Sequence, residues 1–343
     1  MRLVVYVVVV AILPIVFSAK HPPHILAILA DDYGWADAGW HRPKGYKEVQ
    51  TPNLDQLVAN GIELNRHYAF KFCAPSRSAI QSGRNPIHVN TLNLDPLNYN
   101  PKDPVSGMAS IPTNMTGIAE VLRDKAGYKT AFYGKWDCGM ATMRHTPRGR
   151  GYDKALSYFH HMEDYWQNWF ENSNGDTNFF AECKAKYPDV RPRDLWLANT
   201  TYEGPASSGG YINTSSSCSV GTFDLCHKSD SCHPYPGFGE SAQLPGCTYV
   251  DETFATAAVE TILHHDPDES PLFLFWATHI VHTPLQVPKA YYDRFAFIDD
   301  WRRRRYHAMV NYLDDKVGRA LQMQRRNHHP HAHTPKNCPH SDP

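Results

Sequence analysis

Four stretches of this 343-residue chain carry reactive side chains at spacings that could do chemistry. Asp31 and Asp32 are adjacent carboxylates directly after an apolar run. Held close, they repel unless a cation lies between them, and a hard divalent ion with oxygen ligands meets that need. The sequence Asp31-Asp-Tyr-Gly34 would also suit a turn or a helix cap. Cys73 opens Cys-Ala-Pro-Ser-Arg77 and by itself reads as a buried or disulfide-bonded cysteine. Arg77 brings a planar set of donors and Lys135 a compact cation, whereas Asp137, two residues on, can accept a proton. His279 and His282 lie three residues apart after a second apolar run. Singly, Arg77 and Lys135 read as solvated surface charges, and in a chain with 20 histidines a single one reads as structural.

These residues need elements to bring them together. His24 to Ala30 is a short apolar run, read as a buried strand that delivers Asp31 and Asp32 at its carboxyl end. Thr51 to Gly61 has Thr51 as N-cap, Pro52 in the first helical position and Gly61 as a stop, which predicts a short helix. Ile118 to Ala126 is an amphipathic helix closed by Gly127, and Lys129 to Tyr133 is the strand that leads to Lys135. The same order returns in the helix Thr253 to His264 and the strand Leu272 to Thr278, which ends at His279 and His282. Three strands ending in polar residues predict one α/β layer with a site at a common edge. Phe170 to Asp251 shows no sustained period and reads as a long disulfide-tied insertion. Trp301 to Leu321 is helical, with its Arg302 to Arg305 run as a solvated start, and Gln322 to Pro343 reads as a His/Pro tail without a packed element.

Composition and the amino terminus bound the setting. At 42% hydrophobic and 20% charged the chain is globular, and 34 basic against 35 acidic residues leave no bulk field for nucleic acid or an acidic membrane. Arg2, the apolar run Leu3 to Phe17 and the small residues Ser18 and Ala19 have the grammar of a secretory signal cleaved after Ser18 or Ala19. The alternative, a membrane anchor, is disfavoured because Pro14 interrupts a run shorter than the roughly 20 residues a spanning helix needs. An oxidising lumen permits disulfides among the 8 cysteines, of which Cys183, Cys218, Cys226, Cys232 and Cys247 crowd one segment. Asn114, Asn199 and Asn213 head glycosylation sequons consistent with that route.

Cys73-Ala-Pro-Ser-Arg77, followed by Gln81-Ser-Gly-Arg84, resembles the signature of the sulfatase family, Cys-x-Pro-Ser-Arg and a downstream Thr/Ser-Gly-Arg. Asp31-Asp32, Thr51-Pro-Asn-Leu-Asp55, Gly127-Tyr-Lys-Thr130, Gly134-Lys-Trp136 and Val281-His-Thr-Pro-Leu-Gln286 follow in that family's order, so the likeness runs from about residue 24 to 320. It is similar above all to the arylsulfatase B group. The resemblance implies an alkaline-phosphatase-like α/β fold, a mixed sheet flanked by helices. It further implies that Cys73 is oxidised to formylglycine by the formylglycine-generating enzyme. One hydroxyl of the aldehyde hydrate then attacks the sulfur of a sulfate ester and the other helps eliminate sulfate. Asp31, Asp32 and the modified Cys73 become calcium ligands, Arg77 and Lys135 organise the hydrate and the sulfate, and His282 contacts sulfate or protonates the leaving oxygen. His279 has no counterpart in the motif and is assigned to structure or support.

Two departures from the family pattern bear on these expectations. Where the family reads Gly-Lys-Trp-His-Leu-Gly, this chain has Gly134-Lys-Trp-Asp-Cys-Gly139, so Asp137 takes the place of a histidine that contacts the hydrate. The family also continues beyond the Tyr306 to Val317 helix into a strand ending in Asp-Asn and then a sulfate-contacting lysine, which this chain lacks. The resulting expectation is a signal peptide over 1–19, a C-terminally truncated sulfatase catalytic domain over 20–321 lacking the small C-terminal domain, and a tail over 322–343. Its substrate class is a sulfated carbohydrate or an aryl sulfate, and its compartment lysosomal or extracellular with no stable membrane anchor. The rival readings are a sulfated-glycan binder without turnover and a phosphodiesterase of the same superfamily, against which Cys73, Pro75 and Arg77 argue.

Overall fold

The computed structural model describes residues 22–64, 66–89, 110–161, 163, 165, 194–206 and 249–328. The signal segment, the five clustered cysteines, the Asn213 sequon and the end of the tail lie outside the described residues. Six strands form one sheet: β1 (Ile25–Leu29), β2 (Lys129–Lys135), β3 (Lys154–Tyr158), β4 (Trp196–Ala198), β5 (Glu203–Pro205) and β6 (Leu272–Ala277). Their order is β1-β6-β2-β3-β4-β5. The first four in that order run parallel, with Leu29 opposite Ala277 and Gly134 opposite the same residue, and β4 and β5 turn antiparallel. Strand β6, LFLFWA, is buried at every position, as a central parallel strand covered on both faces must be.

Alternation along β6 sorts its side chains between two cores. Leu272, Leu274 and Trp276 pack with Phe254, Ala258 and Ile262 of helix α5 (Val250–His264) and Met309, Leu313 and Val317 of helix α7 (Trp301–His328). Phe273, Phe275 and Ala277 pack on the other face with Phe132, Trp136, Tyr152 and Ala119, the last on helix α4 (Ile118–Ala126). The parallel strands all finish at one edge, and the ladder continues past them: Thr278 N donates to Leu29 O at 3.0 Å, Asp31 N to Ile280 O at 2.9 Å and Val281 N to Asp31 O at 2.7 Å. The predicted common edge is therefore present. Gly134 is required there, because its φ is +106° and a Cβ would stand 1.8 Å from Ala277 O, inside the backbone of β6.

Helix α1 (Pro52–Ala59) begins at Pro52 as predicted, but Thr51 does not cap it with its side chain. Thr51 Oγ1 instead donates to Asp55 at 2.7 Å and accepts from Gly39 N at 2.8 Å. The open N–H groups of Asn53 and Leu54 are met by Asp314 of α7, at 3.1 and 2.8 Å. Helix α2 (Cys73–Ser82) ends on Gly83 in the left-handed region, φ 68°. The remaining helices, α3 (Pro86–Val89) and α6 (Lys289–Arg294), are short.

Three boundaries differ from the sequence expectation. The supposed insertion over 170–251 contains β4 and β5, which extend the sheet from β3. Strands of three residues carry no readable period, yet Leu197 joins one core and Ala198 the other. Helix α5 starts at Val250 rather than Thr253. Helix α7 runs on to His328, beyond the expected stop at Leu321, because Leu321 and Met323 still pack against the core and Gln, Met and Arg favour helix. In the Arg302 to Arg305 run, Arg302 and Arg303 are exposed as expected, but Arg305 is buried with its guanidinium 4.5 Å from the Trp301 ring. No helix among the described residues is long and apolar enough to cross a membrane.

Candidate active site

Asp31 is the hub. It leaves β1 into the sheet edge and is buried, while Asp32, with φ +53°, turns the chain so that its own carboxylate faces out, 60% exposed. Aspartate tolerates the left-handed region better than most residues. Lys135, the last residue of β2 and fully buried, donates from Nζ to Asp31 Oδ2 at 2.8 Å. Arg77 on α2 places Nη2 3.1 Å from Asp31 Oδ1 and donates from Nη1 to the Lys135 carbonyl at 2.8 Å, which ties α2 to the end of β2. Cys73, the first residue of α2, has its Sγ 3.9 Å from Asp31 Oδ1. Asp137, also fully buried and also left-handed at φ +51°, has Oδ2 3.9 Å from Lys135 Nζ. His282 completes the group, its Nε2 3.6 Å from Asp32 Oδ2. Every site residue expected from sequence thus converges on one edge.

The charges settle one another. Burial alone would lift the Asp31 carboxyl, but the Lys135 and Arg77 cations outweigh it and hold it well below the usual carboxylate range. Burial presses against the charged forms of Lys135 and Arg77, and Asp31 more than reverses this, so both remain cations. Burial pushes the Cys73 thiol up to about 11 against the pull of Lys135, so the unmodified residue carries its proton at neutral pH. Burial and then Lys135 lower the His282 imidazole.

The loop bearing His282, which runs on to Gln286 of the same motif, is braced from behind by Tyr165, Tyr249 and Asp251. Tyr165 Oη lies 2.9 Å from both the His279 and His282 carbonyls, and its backbone N donates to Gln286 Oε1 at 2.9 Å. Tyr249 donates to Gln286 O at 2.7 Å. Asp251 at the start of α5 accepts from His279 N at 3.2 Å, and burial raises its carboxyl to about 8. His279 is stacked on Tyr165, ring centroids 4.1 Å apart, and on His282 at 5.5 Å. It acts as packing behind the site, as its unmatched position suggested. Tyr165, Tyr249 and Asp251 sit far from His282 in sequence, so only the fold shows that they stand behind it.

Whether a cation suits this group follows from His282. Its Nδ1 lies 2.6 Å from the Thr283 carbonyl, which can only accept, so Nδ1 carries the hydrogen and Nε2 presents a lone pair. That lone pair faces the Asp32 carboxylate, and two acceptors meeting in this way are reconciled by a cation. Ligating atoms of Asp31, Cys73 and His282 all lie within 4.8 Å of one another. The carboxylates Asp31, Asp32 and Asp137 outnumber the cations Arg77 and Lys135. The residues fit a bound divalent ion, with Asp31 and Asp32 as its hard oxygen donors.

The family model described as sulfatase matches residues 23–330. This chain belongs to the sulfatase family. Among curated sulfatases it is 28% identical over 295 residues to arylsulfatase J of Mus musculus, which covers 86% of this chain and 38% of the relative. It is 28% identical over 311 residues to N-acetylgalactosamine-6-sulfatase of Homo sapiens, covering 89% of this chain and 47% of the relative. The chain therefore spans less than half the length of these two relatives. The crystal structure of Ps i-CgsB in complex with k-i-k-neocarrahexaose superposes with a TM-score of 0.62 at 23% identity, over 89% of this chain and 55% of that one, and so shares the sulfatase fold.

Proposed function

We propose that this chain is a sulfuric ester hydrolase of arylsulfatase type, acting on a sulfated carbohydrate or aryl sulfate. The observation that carries the reading is the buried Arg77–Asp31–Lys135 cluster beneath Cys73, with His282 across from it at the carboxyl ends of parallel strands. The oligosaccharide bound to Ps i-CgsB supports a carbohydrate substrate. Position 73 as formylglycine, made by the formylglycine-generating enzyme, would supply the attacking oxygen, and calcium held by Asp31 and Asp32 would supply positive charge to the site.

The chain's own residues do the rest. Asp31 fixes Lys135 and Arg77 so that their positive charge is in place before a substrate arrives, which is where electrostatic catalysis gains most. Because Thr283 holds Nδ1 of His282, Nε2 is the atom of that ring that exchanges a proton with the leaving oxygen. Asp137 accepts a proton beside Lys135, in the position where the sulfatase pattern that this chain resembles has histidine. Secretion, through removal of residues 1–19, fits the sequons and the cysteine-rich segment, with a lysosomal or extracellular destination.

Release of sulfate from an aryl sulfate by the purified full chain tests the reading. We expect turnover that Cys73→Ala abolishes. Sulfated-glycan binding without any sulfate release would replace it with the binder reading, in which Arg77, Lys135 and His282 hold sulfate without turnover.

A further inference from the structure

The same residues hold a second chemistry that appears only while Cys73 is unmodified. We propose that the Cys73 thiolate, Asp31 and His282 form a binding site for a thiophilic divalent cation such as zinc. This site stands or falls independently of sulfate hydrolysis, since it requires the thiol that hydrolysis requires to be removed.

The donor set is the first reason. Sulfur, imidazole nitrogen and carboxylate oxygen form the mixed set that zinc takes, and three protein ligands with one open position is the arrangement of zinc sites that keep a water. A calcium ion, by contrast, draws on six to eight oxygens and has little use for a thiol or an imidazole.

Geometry is the second. Bond lengths of about 2.0–2.3 Å place neighbouring ligand atoms roughly 3.3–3.8 Å apart around a tetrahedral zinc. Cys73 Sγ and Asp31 Oδ1 already stand at 3.9 Å, and the whole trio lies within 4.8 Å. The His282 ring is set for the task, because its Nδ1–H is donated to the Thr283 carbonyl at 2.6 Å, the outer hydrogen bond that orients a metal-binding imidazole. Asp32, 3.6 Å from the same Nε2, borders the open fourth position and accepts from a water held there.

Electrostatics is the third. With Asp31, Asp32 and Asp137 against Arg77 and Lys135, a divalent ion enters a pocket of negative balance. On binding, the S–H bond breaks, its proton leaves to solvent and the sulfur electron pair forms the S–metal bond. No electron is transferred.

The test uses the full chain with Cys73 confirmed as a thiol by mass spectrometry. Titration with cobalt(II), a coloured stand-in for zinc, should give a sulfur-to-metal charge-transfer band at one equivalent. Zinc should bleach the band, and calcium should not. Cys73→Ser should remove the band and His282→Ala should weaken binding by about tenfold or more, while Cys138→Ala keeps both. A band that survives Cys73→Ser places the metal on another cysteine and overturns the proposal, as does a His282→Ala protein that binds as tightly as the parent. Should a variant fail to fold, the parent still decides: zinc must slow alkylation of Cys73, read on its own peptide, and unchanged alkylation refutes the site. Sulfate release from the formylglycine form is scored separately, so loss of either result leaves the other interpretable.

Discussion

Asp31 spends its carboxylate on two buried cations, so the site is held together by the charges it will use. Removing one partner leaves a buried charge uncompensated, which costs about 3–5 kcal/mol in comparable pairs. Lys135→Met should therefore lower unfolding free energy by that order in urea titration, as well as abolishing turnover. Asp251 makes the opposite use of burial. Its carboxyl rises from an ordinary 3.8 to about 8, so the folded state keeps a proton that the unfolded state has lost. Folded-state stability should decline as pH rises from about 4 to 8, with the full penalty present above that range. Asp251→Asn, which retains an acceptor for His279 N, should flatten this decline in denaturant midpoints measured across the window. An unchanged slope in that variant would show Asp251 ionised in the fold.

Among the elements, β2 matters through its approach to β6. Gly134→Ala puts a methyl against Ala277 O, at a backbone angle that alanine resists, and neither strand can yield without moving Lys135. A loss on the order of 2–4 kcal/mol is expected from combined strain and overpacking, with activity falling further than stability. Helix α1 offers a milder case. Asp314→Ala removes the carboxylate that satisfies Asn53 and Leu54, and should cost about 0.5–2 kcal/mol in thermal or urea unfolding. Since Asp314 touches none of Asp31, Cys73, Arg77 or Lys135, sulfate release at moderate temperature should be unaffected. Thr51→Ala tests the same point from the other side. Its hydroxyl serves Asp55 and Gly39 rather than the helix N–H groups, so its loss disturbs the 39–55 contact.

At the scale of the molecule, one sheet with apolar cores on both faces carries charged residues out of its parallel strand ends, where α/β sheets place ligands. Strand periodicity, the Asp31-Asp32 pair and the Cys73 to Arg77 segment made that edge legible in the sequence, because β1, β2 and β6 are long enough, or apolar enough, to declare themselves. The family likeness rested on short motifs, of which Asp31-Asp32, Cys73 to Arg77, Lys135 and His282 meet at that edge, whereas Gly127 to Thr130 lies at the opposite end of β2. Other features have no local signature. Strands β4 and β5 are too short to show a period, and Asp314 as the cap of α1 joins residues some 260 positions apart. The packing of Tyr165, Tyr249 and Asp251 behind His282 likewise arises from contacts across the whole fold. The residue types able to do the chemistry, and the strands that carry them, are readable along the chain, since hydrophobic period and motif spacing are local. That Lys135 and Arg77 share one carboxylate, and that His282 turns Nε2 toward Asp32, emerges from the folded arrangement. Those outcomes depend on which distant groups meet out of water, and burial sets both the strength of each charge pair and the cost of leaving one unmade.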